Sequence, residues 1–98
     1  MKEEKSLYYK AHLFICLKQK PEGKPCCADK GNENLWQDIK RRAKDRWGTD
    51  VRINSSQCLG RCGEGGIAVL YPQNIWFTKL HEGDVESLWQ RLIAEIEV

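Results

Sequence analysis

Five cysteines carry most of the chemistry this chain can offer: Cys16, Cys26, Cys27, Cys58 and Cys62. Two of them bound the stretch CLGRC at 58–62, which runs straight on into GEGG. Ten residues lie between Cys16 and Cys27, in a segment that contains Pro21, Gly23 and Pro25. Thiolates are soft anionic ligands, and four of them suit zinc or an iron–sulfur cluster. A zinc ribbon draws its ligands from two short C-x₂₋₄-C knuckles. CLGRC can be one knuckle, but Cys16 and Cys27 are too far apart to be the other. A flat [2Fe–2S] cluster takes four cysteines spread around it, and a wide loop plus a tight loop supplies them. Glycines beside the thiolates let backbone N–H groups approach the sulfurs and tune the centre. An odd cysteine count leaves at least one thiol with a different job.

The rest of the composition narrows the setting. The start, MKEEKSLYYK, has neither a long apolar core nor a small-residue cleavage site, so no signal peptide is expected. Nothing approaches the apolar length of a membrane span. The expected compartment is the cytoplasm, where thiols stay reduced, and that favours metal or redox chemistry over a disulfide framework. Ninety-eight residues, 41% hydrophobic and 31% charged, read as one soluble domain. A net charge of +2 does not imply nucleic acid, and KRR at 40–42 fits a solvated helix face. Neither a nucleic-acid nor a membrane partner is expected. Residues 1–10 are expected to form a flexible arm and 11–98 the folded domain.

The thiolates can act together only if the secondary structure gathers them. AHLFIC at 11–16 is a short apolar run that fits a buried strand. From Asn32 a helical pattern begins, with Asn32 or Asn34 as cap and Leu35, Ile39, Ala43 and Trp47 on one stripe. Gly48 suits its C-terminal cap. VRIN at 51–54 is a strand; IAVLY at 67–71 and IWFTKL at 75–80 form a hairpin across PQN. A last helix over 82–97 buries Val85, Leu88, Trp89, Leu92, Ile93 and Ile96. The first strand–helix–strand unit has the length of a parallel crossover. Parallel strands end at one edge of the sheet, and open α/β sheets place their sites there. Cys16 ends the first strand and Cys58 follows the second, so the two cysteine loops are expected to meet at that rim.

HLFIC at 12–16, CADKG at 27–31 and VRINSSQCLGRCGEGGIAVLYPQNIWF at 51–77 together resemble the thioredoxin-like [2Fe-2S] ferredoxins. The resemblance covers residues 12 to about 93. It implies a thioredoxin-like α/β fold, with a mixed four-stranded sheet in β-α-β-β-β-α order and helices packed on it. It implies a [2Fe-2S] cluster held by Cys16, Cys27, Cys58 and Cys62, with one-electron transfer and no substrate turnover. Redox partner proteins, a reductase and an electron acceptor, are implied with it, and often a homodimer. The match of CADKG assigns the ligand role to Cys27 and leaves Cys26 a free thiol. The family usually has proline where this chain has Gly66, from which a looser lead into the hairpin is expected.

Two other classes compete. A zinc-stapled Cys₄ interaction module would be colourless and redox-silent. A thiol-redox protein would have to use Cys26 and Cys27, because the chain has no C-x-x-C. His12 and His81 lie outside the cysteine loops and are expected to be structural. Trp47, Trp76 and Trp89 are expected to pack, and Trp36 to be partly exposed. Lys18, Lys20, Lys24, Lys30 and Arg61 flank the proposed ligands, where positive charge would favour the reduced form and steer an acidic docking face.

Overall fold

A computed structural model describes residues 1–17, 32–56 and 66–97. The first strand, β1 (Ala11–Cys16), alternates its burial: Ala11, Leu13 and Ile15 face the main core. Helix α1 (Asn32–Trp47) lays Leu35, Ile39 and Ala43 against that core. It stops where Gly48 turns left-handed, at φ 62°, and donates its N–H to the Lys44 carbonyl at 3.0 Å. Strand β2 (Val51–Ser56) returns parallel to β1, with Ala11 opposite Val51 and Cys16 opposite Ser56. It runs two residues beyond the predicted VRIN because pairing with β1 continues to Ser56.

Strands β3 (Ala68–Tyr71) and β4 (Ile75–Phe77) form the hairpin, with β3 antiparallel to β1. The sheet order is β2-β1-β3-β4. Asn74 takes the left-handed position of the turn, at φ 58°, which asparagine tolerates. β4 is shorter than the predicted 75–80. The chain breaks from strand geometry before Lys79, at φ 55°, so that Leu80 can donate its N–H to the Gly66 carbonyl at 2.9 Å.

The last helix begins as a 3₁₀ turn at Glu82–Asp84 before α2 (Val85–Ile96). His81 explains the turn: its Nδ1 accepts from the Gly83 N–H, while Asp84 Oδ2 accepts from the His81 N–H, both at 3.1 Å. Leu88, Leu92 and Ile96 close the core from α2, but Ile93, predicted on the same face, is only half-buried.

Both helices pack on one face of the sheet, where their buried side chains join those of β1, β2 and β3, with half-buried Ile75 and Phe77 of β4 against them. The opposite face presents His12, Phe14 and Cys16 from β1, Val69 and Tyr71 from β3, and Trp76 from β4. His12 stacks on Phe14 at 4.1 Å between ring centroids, and its Nε2 lies 2.8 Å from Asn54 Oδ1. Residues 1–10 lie outside the regular elements, though Lys10 donates its N–H to the Asp50 carbonyl at 2.8 Å.

Candidate functional site

Cys16 is the last residue of β1 and is fully buried, 0% exposed. It packs with Ile67 and half-buried Trp76 in a small cluster separate from the main core. Its N–H donates to the Ile67 carbonyl at 3.0 Å. One residue later, Leu17 donates its N–H to the Ser56 carbonyl, also at 3.0 Å. Three strands are thereby pinned at one rim: β1 and β2 end there side by side, and the lead into β3 begins there. This is the edge predicted from the parallel crossover.

Among the described residues, Cys16 is the one cysteine, and no three His, Cys, Asp or Glu side chains converge on a metal. Cys26, Cys27, Cys58 and Cys62 lie outside the described residues, as do Lys18, Lys20, Lys24, Lys30 and Arg61. The structure does place the roots of the segments that carry them. Residues 18–31 leave from Leu17 and rejoin at Asn32; residues 57–65 leave from Ser56 and rejoin at Gly66.

Those roots are tightly built around Gly66. A Cβ at this position would lie 2.0 Å from the Leu80 carbonyl oxygen and 2.5 Å from Asn32 Nδ2. Gly66 is buried. The looser lead into the hairpin expected from the missing proline is therefore not what the packing gives. Glycine is there because two neighbours occupy the space of a side chain. One of them, Asn32, is itself fully buried, and neither its Nδ2 nor its Oδ1 finds a partner among the described residues. Asn32 or Asn34 was expected to cap α1, but the Asn32 side-chain oxygen accepts no helix N–H, and Asn34 is exposed within the first turn. Sequence reasoning marked Gly66 only as a departure from the family pattern and missed its contact with buried Asn32. The available signal was a polar residue at the first position of an apolar helix stripe.

The histidines behave as structural groups, His12 bonded to Asn54 and His81 closing its turn. Trp36 is half-buried as expected, with Lys40 Nζ 5.0 Å from its ring centroid. Trp47 and Trp89 pack against each other at 5.1 Å. In KRR, Arg41 and Arg42 both pair with Asp38, at 2.6 and 2.9 Å, as a solvated helix face would.

No family model matches the chain. It is 28% identical over 92 residues to a 2Fe-2S ferredoxin of Clostridium pasteurianum, covering 91% of this chain and 90% of the relative. A 2Fe-2S ferredoxin of Aquifex aeolicus is 26% identical over 88 residues, covering 82% and 76%. In three dimensions the chain resembles the crystal structure of the thioredoxin-like [2Fe-2S] ferredoxin from Aquifex aeolicus. The TM-score is 0.76 at 22% identity, over 88% of this chain and 87% of that one. The fold is thus thioredoxin-like, with the mixed four-stranded sheet expected from the sequence.

Proposed function

We infer that this chain, a member of the thioredoxin-like [2Fe-2S] ferredoxin family, is a one-electron carrier with a single [2Fe-2S] cluster. The observation that carries this reading is the register of β1 with β2. Cys16 sits opposite Ser56, so the segment with Cys27 and the segment with Cys58 and Cys62 start from adjacent strands. Four thiolates from one rim fit such a cluster, and Cys16, Cys27, Cys58 and Cys62 would hold it. When bound, the cluster supplies a site that accepts and releases one electron at a time.

The protein's part is to hold and shield. Backbone bonds fix Cys16 on both sides, through Ile67 and through the Leu17–Ser56 pair. Ile67 and Trp76 keep water from the Cys16 side chain. Cys16, held at the end of a strand, needs little rearrangement when charge changes, which favours transfer over chemistry at the site. The chain on this reading turns over no substrate and meets a reductase and an electron acceptor in the cytoplasm. No helix among the described residues is long and apolar enough to cross a membrane. A second copy of the chain would pack on the helix-free face, where Phe14, Tyr71 and Trp76 stand.

The test is metal content and EPR on protein purified without oxygen. About two irons and two sulfides per chain, silent when oxidised and with a spin-one-half signal after dithionite, are expected. Cys27→Ala, which leaves no ligand atom, should abolish that signal and Cys26→Ala should leave it. One zinc without sulfide would overturn the electron-transfer reading in favour of a zinc-stapled module.

A further inference from the structure

The buried stripe of α1 runs Asn32, Leu35, Ile39, Ala43. Three of its four residues are apolar and the first is an amide. Burying an amide without hydrogen bonds is costly, and an apolar side chain would avoid that cost. Asn32 is fully buried, and both polar atoms of its side chain lack a partner among the described residues. Such a group calls for a specific explanation. Its place in the chain supplies one. Asn32 directly follows the segment that carries Cys27. Its Nδ2 lies against Gly66, where the chain returns from the segment that carries Cys58 and Cys62. Gly66 adjoins Ile67, whose carbonyl holds the Cys16 N–H. One amide therefore stands at the junction of every segment that bears a candidate ligand. It also stands in the first turn of α1, whose free N–H groups make that end favourable for negative charge.

We propose that the Asn32 side-chain amide donates an Nδ2–H hydrogen bond to a sulfur of the cluster's thiolate and sulfide shell. This rests on the ferredoxin reading above. β1 and β2 end at this rim, so a group held beyond them would be open to side chains from both sheet faces. A cluster held by four thiolates is anionic and gains one more negative charge on reduction. An N–H···S bond stabilises the reduced form more than the oxidised one and raises the potential. Asn32 is a positioning and tuning residue, distinct from the four ligands. Gly66 is its counterpart, since the absent side chain leaves the amide room.

The experiment begins with iron and sulfide analysis of the wild type, because failure there overturns the ferredoxin reading and this inference with it. Given a loaded wild type, Asn32→Leu should lower its potential while iron and sulfide content stay unchanged. The expected effect is about tenfold fewer reduced molecules at a fixed electrode potential, which is about 59 mV for one electron. Asn32→Asp should lower it further once the carboxyl ionises. Pulsed EPR on reduced protein carrying ¹⁵N in asparagine side chains should show a coupled nitrogen that Asn32→Leu removes. An unchanged potential, with loaded Asn32→Leu melting lower than wild type, would make Asn32 structural and overturn the inference. If Asn32→Leu does not fold, the labelled wild type decides: a nitrogen coupling upholds the inference and its absence overturns it.

Discussion

Gly66 shows how much one missing Cβ can hold. The carbonyl of Leu80 and the amide of Asn32 both press on the space a side chain would fill. The contact with Leu80 is backbone, so it cannot be relieved by a rotamer change. Gly66→Ala is expected to destabilise the protein by about 1–3 kcal/mol, the usual cost of overpacking a filled site. In a domain of this size that lowers Tm by about 4–8 °C per kcal/mol. Thermal melting of the two proteins side by side measures it, and an unchanged Tm would mean that Leu80 and Asn32 yield freely. Proline also carries a Cβ, so Gly66→Pro should be no better tolerated, although the resembled family usually has proline at the matching position. The family pattern identified the departure. What fills the space instead depends on Asn32, 34 residues earlier in the chain, and on Leu80.

At the scale of elements, α1 and α2 are fastened at two points on their outer sides. Arg42 bridges Asp38 on its own helix and Glu86 on α2, at 2.9 and 2.7 Å. Arg46 pairs with Glu97, whose carboxylate also accepts from Trp47 Nε1 at 3.2 Å. The Arg46 hydrogen bond is the chief cause that holds the Glu97 carboxyl below its ordinary value of 4.5. For Asp38, burial pushes the carboxyl up from 3.8, but the combined hydrogen bonds and charges of Arg41 and Arg42 bring it below that value. Both folded-state values are depressed. Their contribution to stability is therefore present above the unfolded values and is lost as pH falls through the folded ones. Glu97→Gln should lower Tm at neutral pH, and the gap to wild type should close as pH falls below 4.5. Molar salt should narrow the gap at neutral pH, since the pair is exposed. A gap that persists in acid would assign the loss to packing.

These elements differ in how openly the sequence declares them. β1 was legible to the residue and α1 to its C-terminal end, because an apolar run ending in Cys16 and a stripe ending at Trp47 before Gly48 are local patterns; the cap expected at Asn32 or Asn34 was not found. β4 was overextended, since the bond from Leu80 to Gly66 that draws the chain out of the strand joins residues 14 apart. The 3₁₀ start of the last helix depends on His81 acting as an acceptor, which an apolar periodicity does not register. The rim itself was legible from the crossover. The amide that occupies it was not, because its role appears only when two distant segments are brought against it.

As a whole the molecule is a slab with two unlike faces. One carries both helices. The other presents aromatic rings, with Tyr71 42% exposed and Phe14 6.5 Å from it between centroids. If a second copy packs there, Phe14→Lys should shift the chain to a monomer in light scattering after size exclusion. The cluster signal proposed above should survive, because Phe14 is not among the four proposed ligands. A wild-type monomer at high concentration would remove the dimer from the reading. The parallel pairing of β1 with β2 has a further effect, on chain entropy. Segments of 14 and 9 residues, 18–31 and 57–65, start from roots already held together by the sheet. If the thiolates of those segments share a cluster as proposed, the loop-closure entropy of bringing them together is largely met by strand pairing before any iron arrives. Binding to the folded chain but not to the unfolded one adds to stability by mass action. On the proposed function, cluster assembly and folding of this sheet would be linked equilibria, and a substitution that loosens β1 from β2 would weaken iron retention without touching a proposed ligand.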